Sequence, residues 1–548
     1  MTTEFTLLDR CINFLSPVWS MKRQIARRRV SWLTNEAQQR GFDGVSGDRL
    51  HNGSSFSTSD ADSFIASGAE ALRNHIRSEE FNNPFVSGPI RRLTNNIIGS
   101  GFTFQSRIKA EEIGRSEKVT DKIIAQIERG HKIWAKQAHM RLIHTWGELA
   151  WLAQAALLRD GAVIAVGHTS NRPGRFIPYC QQLYEVDRLR TPPGELMNER
   201  IRNGVRYDSE GVPEAYFMLK RHPGDSLTMP LTYRDTDYEE IPAFFPNGTR
   251  KVMYLFDAVR PEQLLGYSQF ASGVSDLQNH KRYWEAEIMA MLEDACMVGI
   301  IESPMDALSY WSQDQINSKQ VHEFAPNKWI ETKPGQTVKI REPSRQNSIF
   351  TDVLDHLMTG PANALDTPPE VLLQDWKGMN YSNARTVLLG FYLSCRIRQR
   401  YMAEHYYEPT HEAVLFSEIA NGKIKLREDG GLNFYSDPQA YLECKFIPPG
   451  WQWVDPVKEA QGKKIETDNN FDTHDNVASG KGLDIDEIIE ANARYLKKVK
   501  AAEIKHGIEF PKDQDMYALE SSEEPDAKDD KKPALAVVKG GKQGAKSK

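Results

Sequence analysis

Residues 274–297, VSDLQNHKRYWEAEIMAMLEDACM, contain neither glycine nor proline and read as one helix about 36 Å long at ~1.5 Å per residue. A second helical pattern follows at 347–365. There Ile349, Phe350, Val353, Leu354, Leu357 and Met358 repeat as an apolar stripe. A third pattern runs from about 383 to 420. Between the first two lie short β-like pieces, VGIIES and WIETKPGQTVKIRE, the latter folded around Pro334-Gly335. Between the second and third lies PPEVLLQDWKGMNYSNART, residues 368–386, whose loop holds Asp, Lys, Asn, Tyr, Ser and Arg. Those are the residue types of an active site. They also suit a polar loop that works mechanically against something passing by.

Composition narrows the choice. With 548 residues, 40% hydrophobic and 26% charged, the chain can hold several domains or one large elongated subunit. No apolar run approaches the ~18 residues of a membrane span. Near the start, Glu4 and Asp9 precede the basic cluster Arg27-Arg28-Arg29, the reverse of a secretory leader, so no export is expected. Five cysteines at 11, 180, 296, 395 and 444 form no CxxC pair, which argues against disulfides and a zinc site and fits a reducing compartment. A net charge of −6 argues against a monomer that grips DNA over a large surface, because phosphate neutralisation supplies most of such affinity.

The remaining organisation is mixed. Residues 5–30 have a helix-like pattern, and 40–62 read as a Gly-, Ser- and Asp-rich loop. Helical patterns at 63–98 stop at Gly99-Ser100-Gly101. Residues 118–158 read as helical with Trp134, Trp146 and Trp151 as core anchors, and Asp160-Gly161 turns the chain into the strand 162–166. A β-rich stretch continues to 256. It includes GVRYDSEGVPEAYFMLKRH as two strands around Ser209-Glu210-Gly211, and KVMYLFD closes it. Residues 455–508 are charged and partly helical. From 511 onward an acidic block, 520–530, meets a basic one with no apolar period, the pattern of a disordered tail.

No motif for nucleotide hydrolysis is present. GxxxxGK[ST], GxSxG, HExxH and GxGxxG are absent, and Ser479-Gly480-Lys481-Gly482 lacks the upstream glycine and the hydroxyl of a phosphate loop. Asp472-Thr473-His474-Asp475 offers metal-ligand residue types but reads as a solvated linker. His131, His139 and His144 fall in a helical region, and the spacing of five does not stack the last two on one helix face. No cofactor or metal is expected.

The order of elements carries a resemblance. Residues 251–303 present Leu255-Phe256 at a strand end, then Arg260-Pro261-Glu262-Gln263-Leu264-Leu265-Gly266, then the helix from Val274. Further on come Pro369-Glu370-Val371-Leu372-Leu373 and Asn380-Tyr381-Ser382-Asn383-Ala384-Arg385. Together with ARRRV, RRLTNNIIGSGF, the YEVDRLR to EAYFM block and VDPVKEAQGKKIETDNN, this order resembles lambda-type phage portal proteins over about residues 20–510. Two departures stand out. Asp366-Thr367-Pro368 replaces a usual Gly-Val before the proline, and Asn383 replaces a common Ser.

The resemblance implies an α+β portal fold that assembles into a ring, usually a dodecamer. It implies an N-terminal arm and loop (1–62), a wing (63–273), stem helices (274–297 and 347–369) and a clip (298–346). A tunnel loop (370–382), a long helix returning to the wing (383–454), a crown (455–510) and a tail (511–548) would complete it. The ring would pass double-stranded DNA driven by a separate terminase ATPase, whose large subunit docks on it. Other implied partners are the major capsid or scaffolding protein and head-completion or tail connector proteins, with no membrane. Its place would be the capsid vertex of the virion, and the host cytoplasm during assembly. Gln374, Asp375, Trp376, Lys377, Gly378, Met379, Asn380 and Tyr381 would face the channel, with Tyr381, Ser382 and Arg385 anchoring loop to helix. Lys377 and Asn380 would touch phosphates transiently, and Trp376 could pack on neighbouring loops or on its own helices. Two alternatives stay open: a metal-dependent nuclease using Asp375 with Asp355 or Glu370, and a tail adaptor ring.

Overall fold

The computed structural model describes residues 59–225, 233–295, 299–302, 337–340, 350–424, 434–435, 437–451 and 456–506. The first 58 residues, most of the expected clip and the tail from 511 lie outside the described residues. The chain divides into two compact units, 1–484 and 485–548, described separately below.

The first unit begins with helices α1 (Ala61–Asn82) and α2 (Pro84–Ile97). The Asp60 side chain accepts from the Ser63 amide to cap α1, and Asn83 accepts from Phe85 to start α2. Strand β1 (Thr103–Ser106) leads to α3 (Glu117–Ala135) and α4 (Trp146–Asp160). The helical stretch expected over 118–158 is therefore broken at 136–145. Arg175 explains the break: its guanidinium donates to the carbonyls of Gln137, His139 and Met140 and holds them outside any helix. Only His131 of the three histidines is helical. His139 and His144 do stack, with ring centroids 5.1 Å apart, but they do so across this loop. A Thr145/Glu148 capping box starts α4, and Gly161 at φ 81 ends it.

Strands β2 (Ala162–Thr169), β3 (Tyr179–Glu185), β4 (Ile201–Arg202), β5 (Val205–Tyr207), β6 (Pro213–Leu219), β7 (Tyr238–Pro242) and β8 (Val252–Phe256) follow. They form a three-stranded sheet in the order β3-β2-β8 and a four-stranded sheet in the order β4-β5-β6-β7. Strand β2 is buried on both faces. Val163 and Ala165 join the main core of helices, while Ile164 and Val166 pack with Val205, Tyr216, Met218 and Ile241 of the second sheet. The two tryptophans Trp134 and Trp146 are buried and meet edge to face at 5.1 Å in the main core. Trp151 is half-buried and donates to Asn95 at 2.8 Å.

Helix α5 (Val274–Ala295), strands β9 (Gly299–Glu302) and β10 (Thr337–Ile340), and helix α6 (Phe350–Ala364) come next. α5 and α6 pack on one another, with Tyr283 and Trp284 each 5.8 Å from the Phe350 ring. β9 and β10 pair antiparallel, Gly299 opposite Ile340. α6 ends at Ala364 rather than running to 369. Asp366 turns left-handed at φ 50, and Pro368 and Pro369 have no amide to extend a helix.

The chain continues through α7 (Pro369–Leu373), α8 (Tyr381–Met402), a π-helical turn (Ala403–Tyr407) and α9 (Glu408–Ala420). Then come α10 (Gln439–Leu442), β11 (Cys444–Ile447), α11 (Pro456–Asp468) and α12 (His474–Gly480). β11 pairs with β1. The Asp472–Asp475 stretch is not a loose linker. Thr473 caps α12, while Asp475 meets Arg107 at 2.8 Å and Lys445 at 3.0 Å, so that carboxylate ties α12 to the β1–β11 pair. The described part of the second unit is one helix, α13 (Ile485–His506).

Helix α9 carries Glu418 into the interior, where burial pushes its carboxyl up to about 8. The unfolded value is near 4.5, so folding favours the neutral acid. Its contribution to stability is complete below about pH 4.5 and is lost as pH rises through 8. Glu418→Gln is therefore expected to match the parent in thermal unfolding at pH 5 and to melt higher at pH 8.5. Equal melting temperatures at pH 8.5 would refute the buried-acid account.

Candidate functional site

The segment expected as a loop over 370–382 is partly helical. Residues 369–373 form α7, and Tyr381 already opens α8, which leaves 374–380 as the loop proper. Its two sides are built differently. On the incoming side Val371 and Leu372 are buried in the main core, and the chain leaves α7 through Gln374 at φ 57. On the outgoing side the Asn380 side chain accepts from the Asn383 amide at 2.9 Å and caps α8.

Between these fixed points the side chains stand in solvent. Gln374, Asp375, Trp376, Lys377, Gly378 and Asn380 are exposed, and Met379 is half-buried. Trp376 is 40% exposed and Tyr381 50%, so each ring keeps a large face open to solvent. Asp375 organises the turn: its Oδ1 accepts from the Lys377 amide at 3.1 Å, and its Oδ2 lies 3.6 Å from Lys377 Nζ. The Lys377 side chain is 91% exposed. Gly378 adopts φ 74 with no atom within 4 Å of where a Cβ would sit, so only backbone strain favours glycine there.

The anchoring residues divide. Ser382 offers its carbonyl to Thr386 within the first turns of α8, and Arg385 reaches Glu459 of α11 at 3.6 Å. Tyr381 is exposed and begins the helix without being buried. Asn380 has its side-chain oxygen committed to the cap, which leaves its NH2 group and the exposed Lys377 ammonium as donors an anion could meet, and only Lys377 brings a charge.

Among the described residues Asp375 belongs to no group of three or more His, Cys, Asp or Glu side chains close enough to share an ion. The trio that does gather, Glu185, Asp187 and His222, already has its carboxylates engaged by neighbouring side chains. Asp187 takes Arg77 at 2.7 Å and Arg73 at 3.4 Å, and Glu185 takes His222 at 2.8 Å.

Residues that hold the loop were invisible in the sequence. Arg398 donates to the Leu365 carbonyl at 2.7 Å, Ser394 donates to the Asp366 side chain, and Arg92 donates to the Leu372 carbonyl. Arg92 and Leu372 are 280 positions apart, beyond the reach of any local pattern.

Residues 47–399 match the family described as phage portal protein, lambda family. The chain is 25% identical over 488 residues to a probable portal protein of Halomonas phage phiHAP-1, covering 86% of this chain and 88% of that one. It is 19% identical over 465 residues to portal protein B of Escherichia phage lambda, covering 79% and 85%. Among solved structures, a chain from the neck of an empty gene transfer agent particle aligns at 13% identity with a TM-score of 0.42, covering 76% of this chain and 93% of that one.

Proposed function

The chain belongs to the lambda family of phage portal proteins, and on that premise we propose that copies of it form a ring whose 374–380 loops line a DNA channel. The family is a structural one, a component of the virion and not an enzyme. In the proposed ring, DNA enters through the channel while a terminase docks outside, and it leaves through the same channel once tail connectors have replaced the terminase. Capsid or scaffolding protein would hold the ring at its vertex.

The observation that carries this reading is the charge arrangement at the loop tip. Lys377 is almost fully exposed and has Asp375 as a counter-charge at 3.6 Å. Such a cation attracts a passing phosphate but is screened by solvent, by salt and by its own neighbour. It suits sliding contact better than tight binding.

Lys377→Ala tests it. The yield of DNA-filled particles is expected to fall a few-fold at about 50 mM salt, and the gap from the parent should narrow by about 200 mM. A packaging yield unchanged across that range would remove the phosphate-contact role. Incubating the purified protein with plasmid DNA and magnesium is expected to give no cleavage; metal-dependent nicking lost in Asp375→Ala would instead support a nuclease.

A further inference from the structure

We propose that Arg92 and Asn96, one turn apart on α2, are positioning residues that fix the two sides of the 374–380 loop separately. This inference rests on the reading of that loop as the channel-facing element. Arg92 Nη2 donates to the carbonyl of Leu372, the penultimate residue of α7, just before the left-handed Gln374. Leu372 is itself 1% exposed, so one hydrogen bond and one buried side chain pin the same residue. Gly88, four residues before Arg92, leaves room for the guanidinium: a Cβ there would lie 3.0 Å from Arg92 Nη2.

Asn96 serves the outgoing side. Its backbone carbonyl accepts from Gln399 of α8 at 3.2 Å, and its Oδ1 accepts from Trp451 Nε1 at 3.0 Å. Trp451 then stacks on Tyr392 of α8, with ring centroids 4.4 Å apart and planes 17° from parallel. The Asn96 side chain also donates to the Arg92 carbonyl at 2.8 Å. One turn of α2 thus grips the segment entering the loop and the helix leaving it. The span between the two grips contains the positive-φ residues Gln374 and Gly378. Motion is thereby confined to the residues that would meet DNA, and the flanking helices stay still.

The test uses the full-length assembled protein and two readouts: amide hydrogen exchange, and the rate of trypsin cleavage after Lys377. Arg92→Met is expected to speed exchange in 370–377 and cleavage after Lys377 about five-fold, the effect of losing one hydrogen bond. Exchange in α8 should not change. Asn96→Ala is expected to speed exchange in 381–395 and leave 370–377 as it was. Arg92→Lys, which keeps a donor, should recover part of the protection. Uniform loosening of the core in both variants would overturn the proposal, as would Arg92→Lys behaving like Arg92→Met. If Lys377→Ala leaves packaging intact while Arg92→Met still loosens 370–377, the phosphate-contact role fails and the clamp stands.

Discussion

Gly161→Ala is expected to abolish recovery of folded, assembled protein. Gly161 closes α4 at φ 81, a region that costs a residue with a Cβ roughly 1–2 kcal/mol. The greater penalty is steric. A Cβ on residue 161 would lie 2.0 Å from the carbonyl carbon of Tyr267 and 2.1 Å from its oxygen. The contact is reciprocal, since a Cβ on Gly266 would lie 2.1 Å from the Gly161 carbonyl oxygen. Both obstacles are backbone, so no side chain can rotate away. Relief requires moving the α4–β2 turn off the segment that leads into α5. Losses above about 4 kcal/mol follow from such overlaps, a large share of the stability of an ordinary domain. Gly378→Ala is the control: it has a similar φ, 74, but open space around it. Only the backbone cost should appear there. Soluble yield and thermal unfolding of the two variants decide the matter, and a Gly161→Ala protein that melts within a few degrees of Gly378→Ala would defeat the interlock.

Asp160→Ala should cost about 3–5 kcal/mol, the range for removing one partner of a buried ion pair. The Asp160 side chain is 1% exposed and takes Arg77 Nε at 2.7 Å and Arg159 Nη2 at 2.9 Å. Arg77 passes on to Asp187 at 2.7 Å, and Arg159 to Glu80 at 3.1 Å. The network therefore joins α1, α4 and the turn after β3. Burial works against these charges, raising the Asp187 carboxyl and lowering the Arg77 guanidinium. Pairing wins in each case: Arg73 and Arg77 leave Asp187 below its usual 3.8, and Asp160 and Asp187 leave Arg77 above its ordinary value. The Asp187 contribution is present above about pH 3.8 and is lost as pH falls through its lower folded value. Asp160→Asn, which keeps one acceptor, should cost less than alanine. Denaturation midpoints at pH 7 test this, and an alanine variant within 1 kcal/mol of the parent would show that the network is not a keystone.

These sites show what the sequence reveals and what it hides. A run free of glycine and proline located α5, and an apolar repeat located α6 because its buried face recurs within one element. The turn at Gly161 and the glycine at 266 were each visible, but their mutual contact was not, since it joins segments more than a hundred positions apart. The loop was recognisable from its polar residues between helices, yet it is shorter than those residues suggest. Pro369 looks like a helix breaker and in fact starts α7, the position where a missing amide costs nothing. The break at 136–145 was hidden because Arg175, which enforces it, lies in another segment. The second helix appeared longer than it is because apolar spacing cannot register the left-handed Asp366.

The π-helical turn at Ala403–Tyr407 has a geometric effect on the helix that leaves the loop. Met402, Tyr406, Thr410, Val414 and Glu418 are all buried, and they are spaced by four. In a regular α-helix each such step overshoots a full revolution by ~40°, so four steps would carry the row about 160° around the axis. The wider turn unwinds the helix locally and cancels part of that drift. A segment that starts at the loop can therefore keep one inward seam along its far half, with Met402, Tyr406 and Val414 all in the main core, while Leu415, on a different face, packs with Ile127 and Phe434 in a second core. The single underwound turn acts as a phase corrector, holding that row against the main core beyond the point where a uniform pitch would have carried it away.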